Sequence, residues 1–325
     1  MPTVTVVIPT YNARDRLARC LNALQAQTRT PDEVLVVDNA SNDGTAPFVC
    51  NHFPAATVLP QATNRGGPGG LNAGVERARG DMIAALDSDA YATPTWLEAL
   101  LAALDGRPEF AIASSRLLSA DGSDRIDSVG QGFAPHTGAV MIGNGQPNGP
   151  AFDQPREVFA ASNAAALYRR EVFERVGPLD ESVFMYGGDM DFGFRARLLG
   201  YRCLYGPEAI VHHQGSATIG RNTPRQMRLM FRNGLAVYWK NTPWPIIRAT
   251  WPQTARLLAG MLRHAPHRGS ALQGVLDALW RLPETLRKRR IVQRTRTVEI
   301  DALWRAMAPE GLPLDGPSEE TPRQP

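Results

Sequence analysis

Cysteine is scarce in this chain. Cys20, Cys50 and Cys203 are scattered through 325 residues. Their odd number and their spread show no metal-binding spacing and argue for a reducing compartment. Long apolar runs are also missing. No uncharged stretch approaches the roughly 18 residues that a membrane-spanning helix needs, which argues against an integral membrane protein. No basic lead precedes Val4-Thr-Val-Val-Ile8, so the N-terminus reads as a first strand and not as a secretion signal. No Walker sequence, G-x-x-x-x-G-K-[ST], occurs. The glycine-rich run Asn64-Arg-Gly-Gly-Pro-Gly-Gly-Leu-Asn72 fails the dinucleotide fingerprint, because Asn72 stands where the last glycine belongs. It also follows the third expected strand and not the first, which argues against a nicotinamide enzyme.

What remains is an ordinary globular composition, 43% hydrophobic and 21% charged, long enough for one large domain and an accessory one. The net charge of +3 conceals a sharp split. Residues 1–220 carry 17 Lys/Arg against 24 Asp/Glu, residues 221–305 carry 17 against 4, and residues 306–325 carry 1 against 4. The chain therefore divides into an acidic body, a basic extension and a tail. The tail has five prolines and almost nothing apolar, so it is expected to be disordered.

The body alternates strand and helix periodicities. Strands are expected over 4–9, 33–37, 56–59, 82–86 and 110–114, with helices over 14–27, 45–52, 71–79 and 94–104. Leu17, Leu21 and Leu24 supply the helical spacing of the first helix. Such alternation predicts an α/β fold, a parallel sheet covered by helices on both faces. Ligands on these sheets bind at the carboxyl ends of the strands. Three expected strands end in polar residues suited to that position: Pro9-Thr-Tyr-Asn12, Asp38-Asn39 and Asp87-Ser-Asp89. Two carboxylates one residue apart at a strand end are costly without a cation or another partner. The glycine run offers backbone N–H groups and a helix start, which attract phosphate.

In this order the motifs resemble the family 2 glycosyltransferases, over roughly residues 3–220. Val7-Ile-Pro-Thr-Tyr-Asn12 and the segment 36–45 resemble the family's first two nucleotide loops, and 64–67 with 70–74 resemble the third. Leu86-Asp-Ser-Asp89 resembles its D-x-D metal motif. Phe184-Met-Tyr-Gly-Gly-Asp-Met-Asp191 resembles its catalytic-base motif, and Val211-His-His-Gln-Gly-Ser216 its last motif. The resemblance implies a GT-A fold, Rossmann-like with a mostly parallel sheet, followed here by a C-terminal helical extension. It further implies an inverting, metal-dependent transfer of a sugar from a nucleotide-sugar to a glycan or lipid-linked glycan. Pro9, Tyr11, Asp38, Arg65, Asn72, Asp87 and Ser88 would bind the donor nucleotide, and Asp89 and His213 would hold Mn²⁺ or Mg²⁺. Asp189 would be the base, with Asp191 and Arg195 on the acceptor side. The chain departs from the pattern at Gly188, where the family usually has Glu. A catalytically idle relative that binds nucleotide-sugar or glycan is the second reading.

Each residue also has a plainer role. Asp38 could cap the 39–44 turn, Asp189 and Asp191 could be solvated acids favoured by a helix dipole, and Trp96 and Tyr168 read as packing.

The extension shows helical spacing over 225–240, 246–262 and 271–286. Its segments 232–244 and 286–291 resemble bacterial rhamnosyltransferase-like members, the ground for expecting a deoxyhexose on a dTDP- or UDP-linked donor. Basic helices carrying Trp239, Trp244, Trp251 and Trp280 suit an anionic membrane surface, or a homodimer or packing contact. Each Lys or Arg at such a surface adds about 1 kcal/mol, so residues 287–290 would supply about 4. The expected location is cytoplasmic, peripheral on the inner face of the cytoplasmic membrane. Nucleic-acid binding is not expected, since no reading motif accompanies the charge.

Overall fold

The computed structural model describes residues 1–134, 138–215, 220 and 222–307. Strand β1 (Val4–Thr10) is a β-branched run whose alternate residues enter different cores. Val4, Val6 and Ile8 join one cluster with helix α1 (Arg14–Gln25), while Val7 joins the other. Next come β2 (Glu33–Asp38), α2 (Thr45–His52), β3 (Ala56–Pro60), α3 (Gly66–Arg77), β4 (Met82–Leu86), the short β5 (Ala90–Ala92) and α4 (Trp96–Leu104). After β6 (Phe110–Ser119) the chain forms β7 (Ile126–Ser128), β8 (Gln131–Ala134), β9 (Gly138–Met141), β10 (Arg156–Val158), β11 (Ala165–Arg169) and α5 (Arg170–Val176). Helix α6 (Gly188–Leu198) and the long β12 (Arg202–His213) complete the body.

The main sheet runs β3-β2-β1-β4-β11-β6-β12-β10, with β5 on β12 and β7 on β6. The pairs β1–β2, β2–β3, β1–β4 and β6–β12 are parallel. Strand β11 lies antiparallel between β4 and β6, so the sheet is mixed though mostly parallel. One face is covered by α1, α2 and α4, the other by α3, α5 and α6. Trp96 is fully buried and its indole N–H donates to Ser115 at 2.9 Å; Tyr168 is buried as well.

Two expectations change. The glycine run is not a loop: α3 begins at Gly66 and absorbs it. Its glycines serve close packing, since a Cβ at Gly74 would lie 2.1 Å from Val7 Cγ1 on the sheet. Pro68 is tolerated because a first-turn residue needs no backbone N–H.

Among the described residues the extension has five helices in place of three: α7 (Pro224–Asn241), α8 (Trp244–His264), α9 (Arg268–Trp280), α10 (Leu282–Thr295) and α11 (Ile300–Met307). The expected helix over 271–286 is broken at Arg281, with Pro283 opening α10. Helix α11 takes in residues 306–307 of the expected tail because Leu303 and Met307 are buried in a core with Phe133, Phe194 and Tyr238. The rest of the tail lies outside the described residues. That core joins β8 and α6 to α7, α8 and α11. The basic cluster at 287–290 is partly turned inward. Lys288 binds Asp180 at 2.7 Å, and buried Arg289 donates to the carbonyls of Trp239 and Thr242. Two exposed arginines remain there, which would lower the expected membrane contribution to about 2 kcal/mol. Among the described residues no helix is long and apolar enough to cross a membrane.

Candidate active site

Because β1, β2 and β4 are parallel, Thr10, Asp38 and the residues after Leu86 share one sheet edge. Strand β12 runs the same way and brings His213 there. The short β5 ties the two halves, pairing Ala90 with His213, and the Gln214 amide donates to the Asp89 carbonyl at 3.1 Å. The result is a cluster of Asp87, Asp89 and His213 with one ligand atom from each within 4.8 Å of the others. His213 Nε2 stands 3.5 Å from Asp89 Oδ1 and 3.9 Å from Asp87 Oδ2. Nδ1 of the same ring meets Asp127 Oδ2 at 2.8 Å. A carboxylate on one nitrogen orients the ring and presents the other to a cation.

The electrostatics state the same demand. Burial opposes a charge on His213, but Asp127, Asp89 and Asp87 together push its pKa up to about 10. Burial and the neighbouring Asp89 push Asp87 up to about 7, with Asp189 adding to the effect. Three carboxylates around one imidazole need a proton or a divalent cation, and the mixed O/N donor set suits Mn²⁺ or Mg²⁺. The residues present fit such an ion.

Asp189 sits in the first turn of α6. Burial raises its pKa, while hydrogen bonds from the Met190 amide and from Gln131 Nε2, at 2.5 Å, hold it down. Gln131 itself is buried, and its Oε1 has no hydrogen-bond partner among the described residues. The loop leading into α6 is strained: Phe184 and Tyr186 adopt φ of 61° and 62°. It is held by Asn233 of α7, whose Nδ2 lies 3.0, 2.7 and 2.8 Å from the carbonyls of Val183, Met185 and Tyr186. At Gly188 a Cβ would come 2.8 Å from Pro68 Cγ of α3. The chain's departure at Gly188 is therefore matched by a proline ring in the space a side chain would take.

The other expected residues fall into two groups. Pro9, Tyr11 and Ser88 lie half-buried at the sheet edge, and Asp38 is buried there with Oδ1 accepting the Ser41 amide, the turn-capping role. Arg65 is paired in two bonds with Glu181. Asn72 is buried and spends its amide on the backbone of Leu179 and on Glu181. Asp191 is fully buried, bound by Lys240 at 2.6 Å, Asn241 Nδ2 at 2.8 Å and Arg195 Nε at 3.0 Å. Arg195 also donates to the carbonyls of Val176 and Pro178. The structure turns Asp191 and Arg195 inward, away from the edge where the other groups gather.

Sequence reasoning passed over Asp127, Gln131 and Asn233. Asp127 and Gln131 belong to short strands in a region with no clear periodicity; only their position among chemistry-bearing residues could have flagged them. Asn233 lies in an Arg-Asn…Lys-Asn pattern, Arg232-Asn233 and Lys240-Asn241, whose polar residues interrupt the apolar face of α7. That interruption is a readable signal.

A family model described as Glycosyl transferase family 2 matches residues 5–177. The chain is 29% identical over 228 residues to glycosyltransferase AglE of Haloferax volcanii, covering 66% of this chain and 67% of that one. It is 29% identical over 239 residues to the N-acetylglucosaminyl-diphospho-decaprenol L-rhamnosyltransferase of Mycobacterium tuberculosis, covering 67% and 78%. Among solved structures, mannosyltransferase PcManGT from Pyrobaculum calidifontis, in complex with GDP-Man and Mn²⁺, is similar with a TM-score of 0.52 at 20% identity. That likeness covers 94% of this chain and 87% of the other, and it shows the GT-A type of fold. With the family model spanning more than half of its length, the chain belongs to glycosyl transferase family 2 and is a glycosyltransferase with rhamnosyltransferases among its relatives.

Proposed function

We propose that the protein is an inverting, metal-dependent glycosyltransferase, with residues 1–220 as its catalytic body and 221–305 as a membrane-facing extension. The observation that carries this reading is the pairing of an Asp87–Asp89–His213 cluster with a buried carboxylate, Asp189, close enough for its charge to be felt at Asp87. Asp89 and His213, with Asp87 beside them, would hold Mn²⁺ or Mg²⁺, which supplies charge neutralisation for a departing diphosphate. Asp189 accepts the proton of an acceptor hydroxyl as its oxygen bonds to the anomeric carbon. The bond from that carbon to the donor diphosphate breaks in the same displacement, which inverts the configuration. Gln131 aims the Asp189 carboxylate, and burial keeps it basic enough for the task.

The donor is read as a dTDP- or UDP-linked deoxyhexose such as rhamnose, and the acceptor as a lipid-linked glycan of the cell surface. The names of the mycobacterial and Salmonella anatum relatives, both rhamnosyltransferases, support this. The basic extension supports a peripheral position on the inner face of the cytoplasmic membrane; a homodimer contact is the competing use of the same surface.

Asp189→Asn tests the reading. Turnover should fall about 10²–10⁴-fold, the usual contribution of a positioned general base, with donor affinity unchanged. Unchanged transfer in that variant would remove Asp189 as the base.

A further inference from the structure

Helix α9 is apolar on the wrong side for a soluble protein. Its buried face is Ala271, Gly274 and Ala278, and a Cβ at Gly274 would come within 2.4 Å of the Arg228 carbonyl of α7. These small residues let α9 lie tightly on α7. The large side chains face outward: Leu272 is 52% exposed, Leu276 56%, Leu279 48% and Trp280 87%. A stripe of such residues on a helix whose inner face is already packed marks a contact surface.

At Trp280 this stripe meets a cleft of about 540 Å³ whose lining includes Arg225, Arg228, Arg232, Asp277 and Arg281. Arg228 is taken up by Asp277 through two bonds of 2.6 and 3.0 Å. The second carboxylate of the cleft, Glu284, pairs with Lys288 at 2.8 Å. Among the described residues no carboxylate pairs with Arg225, Arg232 or Arg281. Burial and the neighbouring charge of Arg281 press the Arg232 pKa down, as in a cation cluster short of counter-charge. Guanidinium groups in this number suit a phosphate or diphosphate, whose oxygens accept several N–H bonds at once.

The cleft lies beside the loop that leads into α6. The Arg225 guanidinium carbon is 6.0 Å from the ring centre of Phe184, in the loop that leads into Asp189. The Phe184 carbonyl in turn accepts the Gly67 amide of α3 at 3.0 Å.

We infer that this cleft binds the phosphate group of a lipid-linked acceptor, with the alkyl chain lying along Leu272, Leu276, Leu279 and Trp280. The site offers arginines to an anionic head and a continuous apolar stripe to its tail, and it delivers that head next to the base loop. The word acceptor rests on the transferase reading above, whereas binding is measured without turnover.

The full chain, in EDTA, is titrated calorimetrically with farnesyl diphosphate, inorganic pyrophosphate and phosphatidylglycerol vesicles. Farnesyl diphosphate should bind, and Arg225→Ala or Arg281→Ala should each weaken it about tenfold, the loss of one charge-assisted contact. Asp277→Asn, which frees Arg228, should tighten it. Trp280→Ala should weaken farnesyl diphosphate and leave pyrophosphate unchanged. Affinities that stay within twofold in both arginine variants overturn the inference. So does binding to vesicles alone, which would make the surface a bilayer contact with no phosphate site. If the arginine variants lose affinity but the wild-type chain transfers no sugar, the lipid-phosphate site stands and the transferase reading falls. If the wild type transfers sugar and the variants keep their KM for a lipid-linked acceptor, the cleft alone is wrong.

Discussion

Replacing Asn233 by Ala removes one amide from a buried junction where three carbonyls converge. The NH₂ group has two protons to share among them, so about two hydrogen bonds are lost. Each buried carbonyl left without a donor costs about 1–3 kcal/mol, which puts the local loss at about 2–6 kcal/mol. The loop it holds contains Phe184 and Tyr186 at positive φ, a conformation that costs on the order of 1–2 kcal/mol per non-glycine residue. Loss of support and stored strain are comparable, so the loop should relax toward ordinary backbone angles and carry the start of α6 with it. A shift of about 1 Å in a catalytic group costs about 10²-fold in rate. The expectation for Asn233→Ala is therefore a kcat lowered about 10–10²-fold with the donor dissociation constant unchanged, read by steady-state transfer assays and by equilibrium donor titration. Asn233→Asp should be worse, because it sets a carboxylate against three carbonyl oxygens. A variant whose melting temperature drops while kcat stays within twofold would refute the reasoning, since Asn233 would then contribute to stability alone.

Three further outcomes follow from neighbouring contacts. Asp127→Asn should weaken Mn²⁺ binding about 10–100-fold by calorimetry, because it loosens the group that orients His213; an unchanged affinity would show that the ring needs no such partner. Gly188→Glu should destabilise the chain and depress activity, and Pro68→Ala in the same chain should restore stability; no rescue would mean that the proline ring is not the obstacle. Burial would raise the Asp180 pKa, but Lys240 and Lys288 hold it well below the usual carboxylate range. Its folded value thus lies below its unfolded one, so its contribution is complete above about pH 4 and is lost as the pH falls further. Asp180→Asn should cost on the order of 3 kcal/mol at neutral pH and flatten the acid limb of a stability–pH curve measured by urea melts; an acid limb as steep as that of the wild type would count against the pairing.

Much of the candidate site was legible because its carboxylates and imidazole sit at strand ends. Strands betray themselves by β-branched or apolar runs, and Asp38, Asp87, Asp89 and His213 each stand at or just past the end of such a run. Asp189, the proposed base, was singled out only by its place in a motif. The internal pairing of Asn72, Asp191 and Arg195 was not legible, because polarity in sequence does not tell whether a group faces solvent or a buried counter-charge. All three spend their hydrogen bonds inside the protein. The glycine run misled for a related reason. Glycine reads as a turn former, but at Gly74 its value is the missing Cβ against Val7, a contact between residues far apart in the chain. Asp127 and Gln131 were hidden in short strands whose pairing depends on β6 and on a bridge to Ala160, with no local period to reveal it.

The grip of α7 on the base loop has a consequence for how the enzyme comes into being. Asp87, Asp89 and His213, the groups proposed to hold a cation, are all present once His213 has been synthesised. The base loop needs more: Asn233 on its carbonyls, Lys240 on both Asp180 and Asp191, and finally Lys288 on Asp180. On the proposed function, a chain growing from its N-terminus therefore acquires its donor end first and the means to activate an acceptor last. Transfer of the front half of this protein onto another scaffold should carry donor recognition with it and leave catalysis behind unless α7 and α10 travel too.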